Sequence, residues 1–291
     1  MMYSIANEIS NFNDQSLTLS ILYDELEYAL EADATVANEE EKKSIGRMLF
    51  EKVEKIIQEI YAIIDRLFSK LGNIIQRIMV TDKGFKKESR TAIKKNKPLE
   101  AVKLIAYQYD DSFLENQMSK MTTTVFNILK NLKTDYVSEK NDTTDEPLDM
   151  KKKDLYKYIL KQVGCPGDIT DMNLYYEYLK KGYRGNKKEQ LFKASNTQVY
   201  YNNTMEYTKL KQVVNAKESI MKQQVSTIKS NLLNIIKNKL AEDAVKKRAV
   251  HHSSNVSDLY NLYSTFLSIY IELKIEKILN YRTVMRKLYH F

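Results

Sequence analysis

A long stretch with helical hydrophobic periodicity, Glu40–Thr81, constrains this chain more than any other feature. Apolar side chains recur there at steps of three and four residues, in two adjacent rows that cover about half of a helix surface. The first row consists of Leu49, Val53, Ile56, Ile60, Ile63, Leu67, Leu71, Ile74 and Ile78. The second row consists of Phe50, Ile57, Tyr61, Ile64, Phe68, Ile75 and Met79. This face is wider than a two-stranded coiled coil needs, so we expect other helices to cover it.

The low content of turn-forming residues points to the same class of fold. The 291 residues include only 7 Gly and 3 Pro, and 43% of the residues are hydrophobic. A β-sandwich or a doubly wound sheet needs more turns than this composition supplies. We therefore predict an all-α protein in which long amphipathic helices pack as helical bundles in two helical parts.

The two predicted parts are separated by a polar, acidic segment. Residues 1–137 form an N-terminal bundle around the long helix 40–81, and residues 138–149 (SEKNDTTDEPLD) form a linker. Residues 150–291 consist of Tyr-rich short helices, including RGNKKEQLFK, followed by two long C-terminal helices. We expect the helix 40–81 to end near Thr81–Gly84, and the second long pattern to break at His251–Asn255. The segment LEAVKLIAYQY after Pro98 fits either a helix or a short strand.

Charge is distributed unevenly along the chain. Residues 1–46 contain ten acidic and two basic residues, a charge of −8, and because the whole chain carries +8, the remainder carries +16. Two interpretations stay open. Either the acidic segment packs on the basic part, or a basic surface faces a polyanion such as a nucleic acid.

Several basic runs are candidates for contact with phosphate groups. They lie in FKKESRTAIKKNK after the long helix, in the KKK run before a Tyr-rich helix, and in the glycine-bearing GYRGNKK. The possible polyanion contacts are Lys86, Lys87, Arg90, Lys94, Lys95, Lys151, Lys152, Lys153, Arg184, Lys187 and Lys188. GYRGNKK lacks the spacing of a phosphate-binding loop and is also explained as a connection between helices.

Two further sets of residues could carry chemistry, and each has a simpler explanation. His251 and His252 could bind a metal, but the chain has only three histidines and one cysteine, so an exposed loop pair explains them as well. Cys165 in GCPGD could be a nucleophile or a residue of a tight turn. We predict no catalytic residue, no cofactor-binding residue and no metal ligand.

The sequence also lacks signals for membrane insertion and secretion. No uncharged run approaches the length of about 18 residues that reads as a membrane span. The N-terminus has no basic region followed by an apolar run, which a secretory signal would show. The single cysteine excludes an internal disulfide.

Residues 45–109 combine these features in a recognisable order. A helix of the type IIQEIYAIIDRLFSKLGNIIQRIMV follows an acidic segment, and a basic F-K-K-x-x-x-x-x-I-K-K-N-K segment and the aromatic end LIAYQY come after it. This order resembles a module of structural or internal virion proteins of tailed bacteriophages, especially phages of low-GC Gram-positive bacteria. The heavy use of Lys, Asn, Ile and Tyr agrees with an AT-rich genome, and the resemblance covers about a quarter of the chain.

The resemblance implies a role without enzymatic activity. A protein of this kind is a component packed within the head or attached to the tail, and it acts through contacts with itself or with other virion proteins. Its location would be the virion, or the host cytoplasm before assembly. The basic surplus supports an alternative, a nucleic-acid-associated packaging or ejected internal protein that contacts DNA.

Overall fold

The computed structural model describes residues 39–131, 147–237 and 243–291, and these form a mainly helical protein. Seven α-helices are described: α1 (Glu39–Lys95), α2 (Asp111–Asn131), α3 (Lys152–Gln162), α4 (Met172–Arg184), α5 (Thr197–Thr204), α6 (Tyr207–Lys237) and α7 (Asp243–Tyr289). Two strands, β1 (Ala101–Ala106) and β2 (Lys188–Lys193), pair with each other. Short 3₁₀ turns cover Pro147–Asp149 and Ala194–Asn196. The predicted all-α class is confirmed, and residues 1–38 of the predicted N-terminal bundle lie outside the described residues.

Helix α1 is the predicted long helix, but its predicted end near Thr81–Gly84 is wrong. The helix continues to Lys95 and spans 57 residues. Its apolar face persists beyond Gly84, because Phe85 and Ala92 are buried on the same side as the residues before them. Most of the basic run FKKESRTAIKKNK, expected after the long helix, therefore belongs to the last part of α1.

Helix α7 spans 47 residues, and many of its side chains are buried. The predicted break at His251–Asn255 is wrong, since these residues lie inside α7. Asn255 Nδ2 donates to the carbonyl oxygens of Leu148 and Met150 at 2.7 and 2.9 Å. Polar side chains that look like a helix stop in the sequence are thus satisfied by tertiary hydrogen bonds.

The two strands resolve one open alternative and correct one prediction. The segment after Pro98 contains strand β1, and the predicted short helix RGNKKEQLFK contains strand β2 instead. They pair antiparallel, with Ala101 opposite Lys193 and Ala106 opposite Lys188. The inner side of the pair packs into an apolar cluster that includes Phe85, Phe192, Tyr200, Val284, Met285 and Leu288.

The chain divides into two compact units that are each assembled from three segments. Unit 1 comprises the described part of Met1–Asp65 together with Met121–Gly164 and Ile220–Thr265. Unit 2 comprises Arg66–Lys120, Cys165–Ser219 and Phe266–Phe291. Helices α1, α2, α6 and α7 therefore contribute residues to both units. The predicted linker 138–149 is described only at Pro147–Asp149, and the predicted division there stays a prediction.

The first of the two predicted long C-terminal helices, expected to end at His251–Asn255, is interrupted. The 3₁₀ turn at Ala194–Asn196 and the short helix α5 precede α6, and residues 238–242 lie outside the described part. The two long C-terminal helices are nevertheless present as α6 and α7. None of the described helices is both long and apolar enough to cross a membrane.

Candidate functional site

The densest group of charged side chains in unit 2 surrounds two buried lysines of α7. Lys274 and Lys277 are three residues apart, so they lie on the same side of the helix, and their side chains are only 6% and 4% exposed. Asp111 and Glu115, one turn apart at the start of α2, and Glu206, between α5 and α6, face them. We call these five residues the lysine–carboxylate cluster.

Each lysine of this cluster binds two carboxylates. Lys274 Nζ lies 2.9 Å from Asp111 Oδ1 and 2.7 Å from Glu115 Oε1. Lys277 Nζ donates to Asp111 Oδ2 and to both oxygens of Glu206, at 3.0 and 3.2 Å. Asp111 bridges the two lysines through its two oxygens. Helix α7 is thereby linked to α2 and to the connection between α5 and α6.

Two tyrosines complete the cluster. Tyr270 OH donates to Glu115 Oε1 at 2.8 Å, and Tyr183 OH donates to Asp111 Oδ1 at 3.3 Å. The Lys274 ammonium also lies 5.9 and 5.7 Å from the ring centroids of Tyr183 and Tyr270, within the range of a cation–π contact. The lysine is thus surrounded by carboxylates and by the faces of aromatic rings.

Ion pairing favours the charged forms of Asp111 and Lys274. Burial favours the protonated form of Asp111, but hydrogen bonds from Lys277 and Lys274 outweigh it and lower the Asp111 pKa. Burial favours the neutral form of Lys274, but Glu115 and Asp111 outweigh it and raise the Lys274 pKa. A general acid or base, or a nucleophilic lysine, needs a pKa moved towards 7, and both shifts go the other way. The contacts of Asp111 and Lys274 therefore link α7 to α2 through charged groups.

Arg184, one of the predicted polyanion contacts, is held by a carboxylate of the chain. Its Nη2 and Nε atoms lie 2.5 and 3.0 Å from Glu276 Oε2, and the Glu276 side chain is only 10% exposed. Tyr109 OH donates to the other oxygen of Glu276 at 3.4 Å. This guanidinium is committed to an ion pair, which reduces its availability for an external phosphate.

Lys86, another predicted contact, is half-buried and lies beside a second group of charged side chains. Its Nζ lies 2.9 Å from Asp82 Oδ2 and 2.5 Å from Tyr207 OH. Arg282 of α7 donates from Nη2 to Asp82 Oδ1 at 3.0 Å and from Nη1 to Thr81 Oγ1 at 3.1 Å. The side chains of Arg282 and Asp82 are 4% and 2% exposed. Lys86 therefore binds side chains of its own chain, which reduces its availability for an external phosphate.

Three other predicted contacts on α1 are exposed, and the continued helix adds a fourth residue to them. Lys83, Lys87, Arg90 and Lys94 follow one another at steps of four, three and four residues, which places them in one row on the solvent side. The row is about 16 Å long at 1.5 Å per residue. We call these four residues the basic stripe. The remaining contact on this helix, Lys95, is also exposed but lies outside the row.

The other predicted basic residues are dispersed. Lys151, Lys152 and Lys153 belong to unit 1, where Lys152 Nζ pairs with Asp258 at 2.6 Å. Lys187 lies in unit 2, with its ammonium 5.6 Å from the Tyr107 ring centroid, and Lys188 is the exposed first residue of β2. The structure thus groups the α1 residues and does not gather the predicted set into one site.

The candidate histidines have structural partners in unit 1. His252 Nε2 lies 2.6 Å from Asp149 Oδ1, and His251 Nε2 lies 3.3 Å from the Asp149 carbonyl oxygen. They attach the turn Pro147–Asp149 to α7. Across the described ranges, no group of three or more His, Cys, Asp and Glu residues has the arrangement that could hold a metal ion.

The candidate nucleophile Cys165 is half-buried in unit 2. Burial raises the pKa of its thiol to about 11, although the charge of Lys120 opposes the shift. Reactive cysteines have a lowered pKa, because the thiolate is the nucleophile. This environment therefore favours an unreactive thiol.

Large apolar side chains are exposed at the outer face of the strand pair. Ile105 of β1 is 70% exposed, Leu191 of β2 is 52% exposed, and Leu99, just before β1, is 41% exposed. Ile105 and Leu191 are diagonal neighbours, because Lys103 is the residue opposite Leu191. Strands normally place such residues against a core, so this face is a candidate surface for contact with another protein.

Sequence reasoning missed both the buried charges of α7 and the outer face of the strand pair. The signal for the buried charges was present, since the segment IYIELKIEKIL offers apolar residues on several sides of a helix and thus no fully polar face for Lys274 and Lys277. The strand face had no comparable signal. Its two strands are separated by the 81 residues 107–187, and each sequence looks helical or ambiguous alone.

Comparisons of this chain with protein-family models, with curated proteins and with solved structures found no match.

Proposed function

We propose that this chain is a non-enzymatic structural component of a phage virion, either inside the head or associated with the tail, and that it acts through protein–protein contacts. The observation that carries the proposal is the exposed apolar outer face of the strand pair. Ile105 and Leu191 stand beside each other there, and Val199 of the nearby α5 is a further exposed apolar side chain.

The apolar side chains of this face are thermodynamically unfavourable in water. Covering apolar surface stabilises a complex by about 25 cal/mol per Å² of surface removed from water. Scattered exposed apolar residues are ordinary, but neighbouring ones on a strand pair favour contact with another protein. The lysine–carboxylate cluster supports the proposal in a second way, because ion pairs that join several helices suit a rigid scaffold.

Fractionation of a phage-infected cell lysate on a density gradient tests this function. We expect the chain to migrate with virus particles, and we expect Ile105→Lys to shift it towards the soluble fractions. Val80→Lys is the matched control, since Val80 is 61% exposed on α1 and lies away from the strand pair in sequence. A chain that stays wholly outside the particle fractions would exclude the virion proposal.

A specific observation also favours the alternative of a nucleic-acid-associated protein. The basic stripe presents four exposed cations in one row along α1. A row of this kind can neutralise several phosphates of one strand. The associated proposal is contact with DNA during packaging or ejection.

Salt dependence of DNA binding tests the alternative. If the four cations contact phosphates of a duplex, the logarithm of the binding constant should fall with the logarithm of salt concentration with a slope of roughly −3 to −4. We expect Lys87→Glu/Arg90→Glu to abolish most of the binding measured by fluorescence anisotropy. Lys209→Glu/Lys211→Glu on α6 is the control, and an equal loss in the control would oppose a role of the stripe.

A further inference from the structure

Strand β2 has a partner on one side only. Within the described ranges the sheet has two strands, so the second edge of β2 faces no other described strand. An unpaired edge offers backbone N–H and C=O groups to another strand. The orientation of these groups decides which residues can take part.

The hydrogen-bonding pattern identifies the outward residues of β2. The N–H of Ala194 donates to the carbonyl oxygen of Glu100 at 2.9 Å, which makes this an inward-bonded pair of the antiparallel ladder. Bonded pairs alternate along such a ladder, so Glu189, Leu191 and Lys193 direct their backbone groups away from β1. The N–H of Lys193 agrees with this, because it donates outward to Tyr200 OH at 3.2 Å.

The side chains of these three outward residues share one exposed face. Leu191 is 52% exposed, the Glu189 side chain is 63% exposed, and Lys193 is exposed as well. Along the strand they read acidic, apolar, basic. This order is complementary to itself when it is reversed, which is the condition for an antiparallel contact between two identical strands.

We propose that β2 pairs antiparallel with β2 of a second copy of this chain, with the two-fold axis at Leu191. The register places Leu191 opposite Leu191 of the other copy and Glu189 opposite Lys193 of the other copy, twice by symmetry. Opposite charges directly across an antiparallel pair stabilise it, as do apolar pairs. The result is a four-stranded sheet in the order β1, β2, β2, β1.

The outer edge of β1 is less suited to self-pairing than the outer edge of β2. The same alternation makes Ala101, Lys103 and Ile105 the outward residues of β1. Self-pairing of β1 around its centre would set Lys103 against Lys103 of the other copy, and like charges directly opposite destabilise a strand pair. Lysine on an edge strand is a common protection against such pairing. Only the β2 edge is self-complementary.

The inference deepens the proposed function, since it names the partner and the contact of the same exposed surface. β2 has only six residues, and Tyr200 already occupies the N–H of Lys193. The contact is therefore smaller than a standard stable interface, and we expect a reversible dimer whose population rises with protein concentration.

Sedimentation of charge variants of the full chain tests the register. Glu189→Lys and Lys193→Glu each place like charges opposite one another, so each should remove the dimer seen for the wild-type chain. The double variant Glu189→Lys/Lys193→Glu restores opposite charges and should restore the dimer. A wild-type chain that stays monomeric, or a double variant that fails to recover while both single variants dissociate, would overturn the proposal.

Cysteine cross-linking tests the position of the axis. In a Cys165→Ser background, Leu191→Cys would place two thiols across the axis, where paired Cα atoms are about 5.5 Å apart and within disulfide range. We expect rapid oxidation to a covalent dimer. Ile105→Cys is the matched control, because Ile105 is more exposed but lies on β1, and it should cross-link more slowly. Faster cross-linking of the control would contradict the register.

Failure of the β2 self-pairing and failure of the proposed function give different experimental results. If the wild-type chain is monomeric and Leu191→Lys still removes it from virus particles, the surface binds another protein, and the self-pairing is wrong while the proposed function stands. If the dimer forms as described and the chain never accompanies particles, the self-pairing stands and the proposed function is wrong.

Discussion

Single charged residues carry much of the internal organisation of unit 2. Lys274, Lys277 and Arg282 of α7 are all less than 10% exposed, and each meets carboxylates from other segments. Taking such charges out of water costs free energy, which only close ion pairs and hydrogen bonds offset. Removal of one partner should therefore matter far more than removal of a surface charge.

The pair of Asp82 and Arg282 gives the sharpest test at this scale. Asp82→Leu leaves the Arg282 guanidinium buried without its carboxylate, and we expect a loss of about 3–5 kcal/mol in the free energy of unfolding. The double variant Asp82→Leu/Arg282→Met removes both charges and should lose less than the sum of the two single variants. Urea unfolding followed by circular dichroism measures all four chains.

An exposed ion pair supplies the control for this cycle. Arg47 and Glu51 on α1 lie 2.9 Å apart, but their side chains are 82% and 61% exposed. Arg47→Met should cost less than about 1 kcal/mol. Equal costs for the buried and the exposed pair would show that the charges of Asp82 and Arg282 do not stabilise the fold.

The ion pair between Asp111 and Lys274 predicts that its contribution to stability is lost at both low and high pH. The pKa of Asp111 is lowered in the folded chain, so its contribution is present above the unfolded value of about 3.9 and is lost as the pH falls through the folded value. The pKa of Lys274 is raised, so the contribution of the pair persists below the unfolded value of about 10.4 and is lost as the pH rises through the folded value.

Asp111→Asn should therefore be less stable than the wild type at neutral pH, and the difference should shrink towards both limits. Unfolding free energies measured at a series of pH values give this difference. Asp110→Asn is the control, because the asparagine keeps a side-chain oxygen that can accept from the N–H of Phe113 as Asp110 does at 2.9 Å. A difference between wild type and Asp111→Asn that does not vary with pH would contradict the ionised cluster.

At the scale of helices, replacing either of two glycines by alanine is expected to change stability in opposite directions. Gly84 lies inside α1, and a Cβ atom there would meet no other atom within 4 Å. Gly84→Ala should stabilise the chain by about 0.5–1 kcal/mol, because alanine favours the helix and restricts the unfolded chain. Thermal unfolding measures the shift.

Gly182 of α4 is the matched comparison. A Cβ atom at this position would lie 2.4 Å from carbon atoms of the Phe113 ring, which is too close for a normal contact. Gly182→Ala should therefore destabilise the chain by about 1–3 kcal/mol despite its better helix propensity. Stabilisation by both substitutions would mean that Phe113 moves away without cost.

The sequence predicted the helices that have a clear local hydrophobic pattern. Its predictions were wrong where contacts between residues distant in sequence determine the structure. The apolar rows of α1 were recognisable from their spacing alone. Gly84 and His251–Asn255 were misread as helix ends, because Phe85 finds a buried environment and Asn255 finds the carbonyl oxygens of Leu148 and Met150 only in three dimensions. Strand β2 was misread because its partner β1 is far away in sequence.

The predicted surface residues show the same difference between local sequence patterns and distant contacts. The exposed α1 residues Lys87, Arg90 and Lys94 were selected from the basic run, whereas Lys83 was missed because it lies where the helix was expected to end. Arg184 and Lys86 were selected for their charge, but charge alone does not reveal that Glu276 and Asp82 already bind them. Pairing between distant residues is what the residue types and their spacing do not encode.

For the whole molecule, the tyrosines offer a test of how much aromatic surface is buried. The chain has 21 Tyr and no Trp, so phenolate absorbance can be followed without interference from tryptophan. Burial raises the pKa of Tyr263 to about 12, with an opposing hydrogen bond to Thr122, and it raises the pKa of Tyr175, Tyr183 and Tyr260 further.

A raised folded pKa means that stability is complete below the unfolded tyrosine value of about 10 and decreases as the pH rises above it. Alkaline titration of the native chain should show a first step from exposed tyrosines and a later, cooperative step that coincides with unfolding. In denaturant the two steps should merge near pH 10. A single native step at that pH would mean that the tyrosines are accessible to solvent.

The division of each compact unit among three separate segments has a consequence for synthesis. Unit 2 needs Phe266–Phe291, so it is incomplete until almost all of α7 has been synthesised, and unit 1 needs Ile220–Thr265, which includes about half of α7. The apolar face of α1 is synthesised before the C-terminal segments of both units. Folding of this chain is therefore expected to be largely post-translational, with a period in which a nascent α1 depends on chaperones to avoid aggregation.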